Sequence, residues 1–215
     1  MYRIVTAAAV FASLVGCSSM TPTQQKEASF VIYDVQPTSL NRSQFLDALT
    51  GAVKKHQSQV RVTRDIQTGE LPDNPGRFTL KDPYAGTNLG AMMSASGQSL
   101  KMPMCDNSIL TLASGSSGAS GDQTTFFLCV MPYKAGYSVN IYATYTSTSG
   151  GVSVNALGSA LAKSIAGDNS QFIPRAMNEV RTASESVGGK VAIIDSYIPE
   201  SFKGAFVNQT ASVSK

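Results

Sequence analysis

Side chains able to act as nucleophile, base or ligand are few in this chain, and their spacing excludes more chemistry than it supports. His56 is the only histidine among 215 residues, so a Ser-His-Asp or Cys-His mechanism would have to use it. It falls at the end of a predicted helix beside Lys55, where the helix dipole favours a cation, and a structural or surface role follows. A zinc site of the usual kind needs another histidine or several thiolates. Serine is abundant, but no Gly-x-Ser-x-Gly elbow occurs. The glycine-rich run Gly115–Gly121 lacks the Gly-Lys-Ser/Thr ending of a phosphate loop and reads as a hairpin tip. Glu179 and Glu185 lie six apart on a predicted helix, so they do not share a face and read as two solvated charges. No catalytic residue and no cofactor is assigned.

Four of the eight methionines, Met92, Met93, Met102 and Met104, fall within thirteen residues. Thioethers are soft ligands that suit Cu(I), which makes this cluster the one candidate metal site. Without histidines beside it, the commoner use of methionine weighs more heavily: flexible cover for an irregular core gap, an apolar groove or a ligand cavity. Beyond Cys17, two cysteines remain, Cys105 and Cys129. Neither has a Cys-x-x-Cys or histidine neighbour, so metal binding or thiol chemistry is disfavoured. A disulfide is the economical pairing in an oxidising compartment, and two buried free thiols are the alternative. A hairpin centred near Ser117 would set Cys105 opposite Cys129 and close a loop worth about 3 kcal/mol in the chain-entropy model.

The elements that must hold these residues are legible from periodicity. Phe30–Val35 is β-branched and aromatic and ends at Pro37. Ser43 or Asn41 can cap a helix running to His56, with Phe45, Leu46, Leu49, Ala52 and Val53 on one face. Gln59–Ile66 alternates as a strand with one wet face. Residues 68–76 are turn-rich, Arg77–Leu80 is a short strand, and 81–104 shows no clear period. Asn107–Leu112, Thr124–Val130 and Tyr137–Thr146 then form a meander around the loose Ser114–Gly121 connection. Val152–Ile165 carries a helical stripe through Val154, Leu157 and Leu161. Gly167-Asp168-Asn169 breaks it before a second helix with Phe172, Ile173, Met177 and Val180 inward and Pro174 in its first turn. Val191–Asp195 is a last strand. The fold class is α+β, a mainly antiparallel sheet with an N-terminal helix and a C-terminal helical segment on one face. This element order resembles the helix-grip arrangement, from which the strand after the helices departs.

Compartment is written at the N-terminus. Met1-Tyr2-Arg3 is a short positive region, Ile4–Val15 is apolar and too short to span a bilayer, and small residues close it. The junction Leu14-Val15-Gly16-Cys17 resembles the lipobox of bacterial lipoproteins. That resemblance implies cleavage after Gly16, a diacylglycerol thioether on Cys17 and a third, amide-linked chain, for instance palmitate. Several buried acyl chains hold far more firmly than one, at roughly 0.8 kcal/mol per methylene. Within the class Asp after the cysteine retains the protein at the inner membrane, so Ser18 implies the outer membrane and a domain facing the periplasm.

Four segments follow: a signal peptide over 1–16, an acylated cysteine and flexible linker over 17–28, one domain over 29–200, and a tail over 201–215 expected to fray. Removing sixteen residues leaves 199, enough for a domain with a real core. The net charge is +3 and no block of five like charges occurs, which argues against nucleic acid. The expected role is therefore that of a non-catalytic envelope lipoprotein, held to the membrane by its anchor and binding another envelope protein. A carrier or sensor of an apolar ligand such as a lipid, with a cavity between sheet and helix, is the alternative, and Cu(I) binding a further one.

Overall fold

Alternation of apolar and polar residues is longest between Gly136 and Ser149, and that segment is central to the sheet. The computed structural model describes residues 23–37, 40–57, 59–95, 101–117, 123–149 and 172–199. In chain order its elements are β1 (Thr23–Pro37), α1 (Arg42–Lys54), β2 (Val60–Arg64), β3 (Thr79–Lys81), α2 (Asn88–Ala95), β4 (Met102–Met104), β5 (Leu110–Ser117), β6 (Gln123–Tyr133), β7 (Gly136–Ser149), α3 (Phe172–Ser186) and β8 (Gly189–Tyr197). Six strands pair antiparallel in the order β2-β5-β6-β7-β1-β8, and β3 pairs with β4 apart from them. The protein is thus α+β, as its periodicity indicates, with α1 and α3 against the sheet. The meander β5-β6-β7 is present as expected.

Register sorts the side chains between two faces, because successive residues of a strand point opposite ways. Val62, Leu112, Leu128, Ile141 and Val31 form one continuous row across five strands, and the last four are fully buried. Onto this inner face α1 lays Phe45, Leu49 and Val53, and α3 lays Ile173, Met177 and Val180. Tyr33, two residues on from Val31, turns to the same face, and its hydroxyl donates to the Met177 carbonyl at 3.1 Å. Burial raises the pKa of that phenol well above the ordinary range, so it stays a donor. Burying side chains of this size stabilises by roughly 1.5–3 kcal/mol each.

Local chemistry sets the helix ends. Asn41, not Ser43, caps α1: its side-chain oxygen accepts from the amides of Ser43 at 3.0 Å and Gln44 at 3.2 Å. Gly188 follows α3 at φ 91°, a left-handed position that only glycine takes without strain. Gly136 closes the β6–β7 turn where a Cβ would stand 2.3 Å from the Val35 carbonyl oxygen.

Three differences from the sequence-based expectations have physical causes. The linker expected over 17–28 is shorter, because Thr23–Ala28 are already strand, paired with Thr144–Ser149 of β7. These polar residues show no apolar alternation, but a ladder of backbone hydrogen bonds needs none. The loose connection expected at Ser114–Gly121 is likewise strand as far as Ser117, for the same reason. Within the aperiodic 81–104 stretch lies α2, which buries only Gly90 and so leaves no stripe to read. The helical stripe Val152–Ile165 and the tail from 201 lie outside the described residues.

Lys55, after the end of α1, is ion-paired with Glu179 of α3. The hydrogen bond from that ammonium holds the Glu179 carboxyl below the usual carboxylate range. A lowered folded-state pKa stabilises above the unfolded value and loses that contribution as pH falls through the folded one. Glu179→Gln should therefore cost at most ~1 kcal/mol near neutral pH, the measure of a partly exposed pair. Urea unfolding of both proteins across the acid range should show that difference vanish once the carboxyl is protonated; a constant difference would assign it to packing.

Candidate functional site: the outer face of the sheet

The residues that alternate with the core belong to the second sheet face, and the register aligns them into rows. One row runs Arg61, Ala113, Phe127, Tyr142, Phe30 and Tyr197; the next runs Thr63, Thr111, Cys129, Asn140, Ile32 and Asp195. A face holding Phe30, Ile32, Phe127 and Cys129 cannot be left to water, and the chain between β2 and β5 returns to cover much of it.

Residues 76–78 act as a strap across its middle. The Gly76 carbonyl accepts from Ser138 Oγ at 2.7 Å and from Asn140 Nδ2 at 3.3 Å, while the Phe78 amide donates to Asn140 Oδ1 at 3.0 Å. The Phe78 ring stands edge-on to Phe30 at 5.7 Å and tilted against Tyr142 at 5.5 Å. Arg77 pairs with Asp195 at 2.9 Å. Asn140 is only 1% exposed, so a residue that alternation marks merely as the polar side of a strand is a buried clamp. Near the β6–β7 turn, Tyr133 donates to the Asp34 carboxylate, and burial together with that hydrogen bond pushes its pKa up to about 12.

Further along the chain Cys105 is joined to Cys129, with Cα atoms 6.5 Å apart. The bond does not bridge the β5–β6 hairpin as expected, since Cys129 faces Thr111 in that register and Cys105 precedes β5 altogether. It instead fastens the end of the returning segment to the outer face. The difference follows from the register: Ser117 pairs with Gln123 and Leu110 with Val130, so the hairpin's midpoint lies beyond Ser117 and Cys105 falls outside the paired strand.

Beside the strap the covering is incomplete. A groove of about 670 Å³ lies between β4 and the sheet. Phe127, Tyr142 and Ala113 form its floor, Met102 and Pro103 one wall, and Lys26, Arg61 and Lys101 are exposed along it. Among the described residues three cations line it and no carboxylate does. Tyr142 is half-buried, and that burial raises its pKa, so the phenol is neutral. Thr125 and Thr144 share a hydroxyl hydrogen bond of 2.6 Å within the lining. A smaller hollow of about 260 Å³, mostly polar, lies by Asp65, Thr68 and Asn107. The cavity expected for an apolar ligand was between sheet and helix, where the described residues place the core cluster; the groove is on the other face.

The residues singled out from sequence are scattered. His56 is half-buried just past the end of α1 and is not among the residues lining the groove. Among the described residues no three of His, Cys, Asp or Glu gather as a metal site, and no helix is long and apolar enough to cross a membrane. Met102 enters the groove wall; Met104 shares its face of β4 and is half-exposed. Met92 is 71% exposed on α2, and Met93, next to it on the helix, points elsewhere. Cys17 lies outside the described residues. Lys26, Arg61 and Lys101 were not singled out, because they come from three distant segments and no local window contains a basic cluster.

Asn140→Ala removes both ends of the clamp and should cost about 1–3 kcal/mol. Loss of protection at residues 76–78 in hydrogen exchange should accompany it, with β7 still protected. Replacing Cys105 and Cys129 together by alanine should lower stability by about 3 kcal/mol in denaturant. Compared with known proteins, the chain matches no family model, no curated protein and no solved structure.

Proposed function

We propose that this protein is a lipid-anchored envelope protein, held at the outer membrane through Cys17, whose non-catalytic domain docks on another envelope protein in the periplasm. The lipobox-like Leu14-Val15-Gly16-Cys17 supports the anchor, and the shortened linker sharpens it. Six residues from Cys17 to the start of β1 reach at most ~20 Å, so the domain would work close to the bilayer.

The observation that carries the docking role is where the exposed apolar side chains fall. Leu80, Tyr84, Leu89, Met92, Met102 and Met104, all within β3, α2, β4 and their connections, are between 37% and 71% exposed. The other large apolar residues exposed among the described ones are Val62, Ile66, Ile194 and Tyr197. Grouped exposed apolar residues mark interaction surfaces, and methionine suits one that must adapt to its partner. A second reading, carriage of an apolar ligand, is favoured by the groove that Met102 helps to wall.

Two measurements test the proposal. Cells fed labelled palmitate should label the wild-type chain and not Cys17→Ser, and the label should sediment with outer membranes; unlabelled wild-type protein removes the anchor. For docking, a photo-crosslinking amino acid at Leu89 and at Met92 should give the same single protein adduct, with none at Lys54 on the helix side. Equal adducts at all three positions, or none, would sink the docking surface.

A further inference from the structure

We propose that the groove between β4 and the outer sheet face binds a long-chain fatty acid, its chain along Phe127 and Tyr142 and its carboxylate on Arg61, the cation that ends their row, with Lys26 and Lys101 adding positive charge along the rim. The site is formed by the fold alone and does not depend on the anchor, which would only set its distance from the bilayer. The apolar part comes first. Ala113, Phe127 and Tyr142 are cross-strand neighbours in one row, so the floor is a continuous strip crossing three strands, and Met102 with Pro103 stands over it. A strip walled on one side is the shape for an unbranched chain. Its methionine wall can adjust to the chain's bends.

Volume limits the occupant to one chain. A methylene takes about the room of a water molecule, roughly 30 Å³, so about sixteen carbons fill most of the 670 Å³ and leave space for a small headgroup. Two acyl chains do not fit. Charge then selects the head. Among the described residues the three ionic side chains on the groove are all cations from separate segments, and no acid lines it. An apolar strip rimmed by one sign of charge complements an amphiphile of the opposite sign, and a neutral chain would leave that charge unanswered. Arg61 is particularly apt, since it ends the row that holds Phe127 and Tyr142, and its guanidinium can take a carboxylate in two parallel hydrogen bonds.

Position adds a source for the ligand. Lys26 is nine residues beyond Cys17, a reach of at most ~30 Å. On the anchoring proposed above, the Lys26 side of the groove is therefore within that distance of the membrane, where free fatty acids partition.

The test uses the full chain in a non-ionic detergent with a diazirine-bearing palmitic acid, and mass spectrometry of the labelled peptides. Labelling should concentrate on peptides containing Met102, Phe127 and Tyr142, and should exceed that by the methyl ester of the same probe about tenfold or more. The exposed-residue variant Lys26→Gln/Arg61→Gln/Lys101→Gln should lose that preference while its far-ultraviolet circular dichroism and melting stay unchanged. The single variant Arg61→Gln, with a partial loss, keeps the test intact if the triple variant is unstable. Equal labelling by acid and ester, labelling spread over the surface, or an unaltered preference in the variants would each overturn the proposal. Competition by a lysophospholipid stronger than by oleate would overturn the carboxylate assignment. None of these readouts depends on acylation of Cys17, which palmitate labelling of cells measures separately.

Discussion

The carboxamide of Asn140 is a buried joint between two layers that otherwise meet at scattered points. On one side it belongs to β7, whose neighbours in the sheet are β6 and β1. On the other it takes one backbone donor and one backbone acceptor from residues 76–78, satisfying both ends of its own amide. A buried amide costs several kilocalories when unpaired, so the strap and the strand are each required by the other. With the strap placed, Phe78 falls between Phe30 and Tyr142, and Arg77 reaches Asp195 at the far side of the sheet. The return of the chain to Cys105 then ends on Cys129, one strand away from Asn140 in the same row.

This joint explains why the two faces of one sheet are so different. The inner face is covered by two helices whose apolar stripes match its rows. The outer face is closed by irregular chain held at a few points: the strap, the disulfide and Lys134 with Asp73. Coverage by points rather than by a continuous surface leaves a groove between them. Its lining consequently mixes sheet residues chosen for the pleat with cations from the strand ends and from Lys101. A groove arises here because a second layer was assembled from backbone hydrogen bonds and one disulfide instead of from an amphipathic element.

The same segment supplies the exposed apolar side chains of β3, α2 and β4. Met102 belongs to both features, turned toward the groove while half of it remains exposed. An occupant of the groove and a protein on the outer surface would thus touch the same side chain. That shared wall gives a physical route by which one could influence the other, through a residue whose three rotatable bonds let it change shape at little cost.

How much of this was legible varies with how the information is stored. The stripes of α1 and α3 and the alternation of β7 are local patterns, enforced because each element buries one face against the same core. The lipobox-like residues are local too, and they carry the expectation about compartment by themselves. Lost to sequence were the first half of β1, which exists through pairing with β7, and α2, which buries one glycine. Partner strands, not periodicity, decide such elements. The α+β class, the inward faces of the helices and the absence of a familiar catalytic motif were therefore determined by the sequence alone. Only the tertiary structure could decide that Asn140 is a clamp, that Cys105 reaches Cys129 from outside the hairpin, and that Lys26, Arg61 and Lys101 share one groove. Those facts depend on residues from distant segments meeting across strands, and no local pattern of apolar spacing encodes such a meeting.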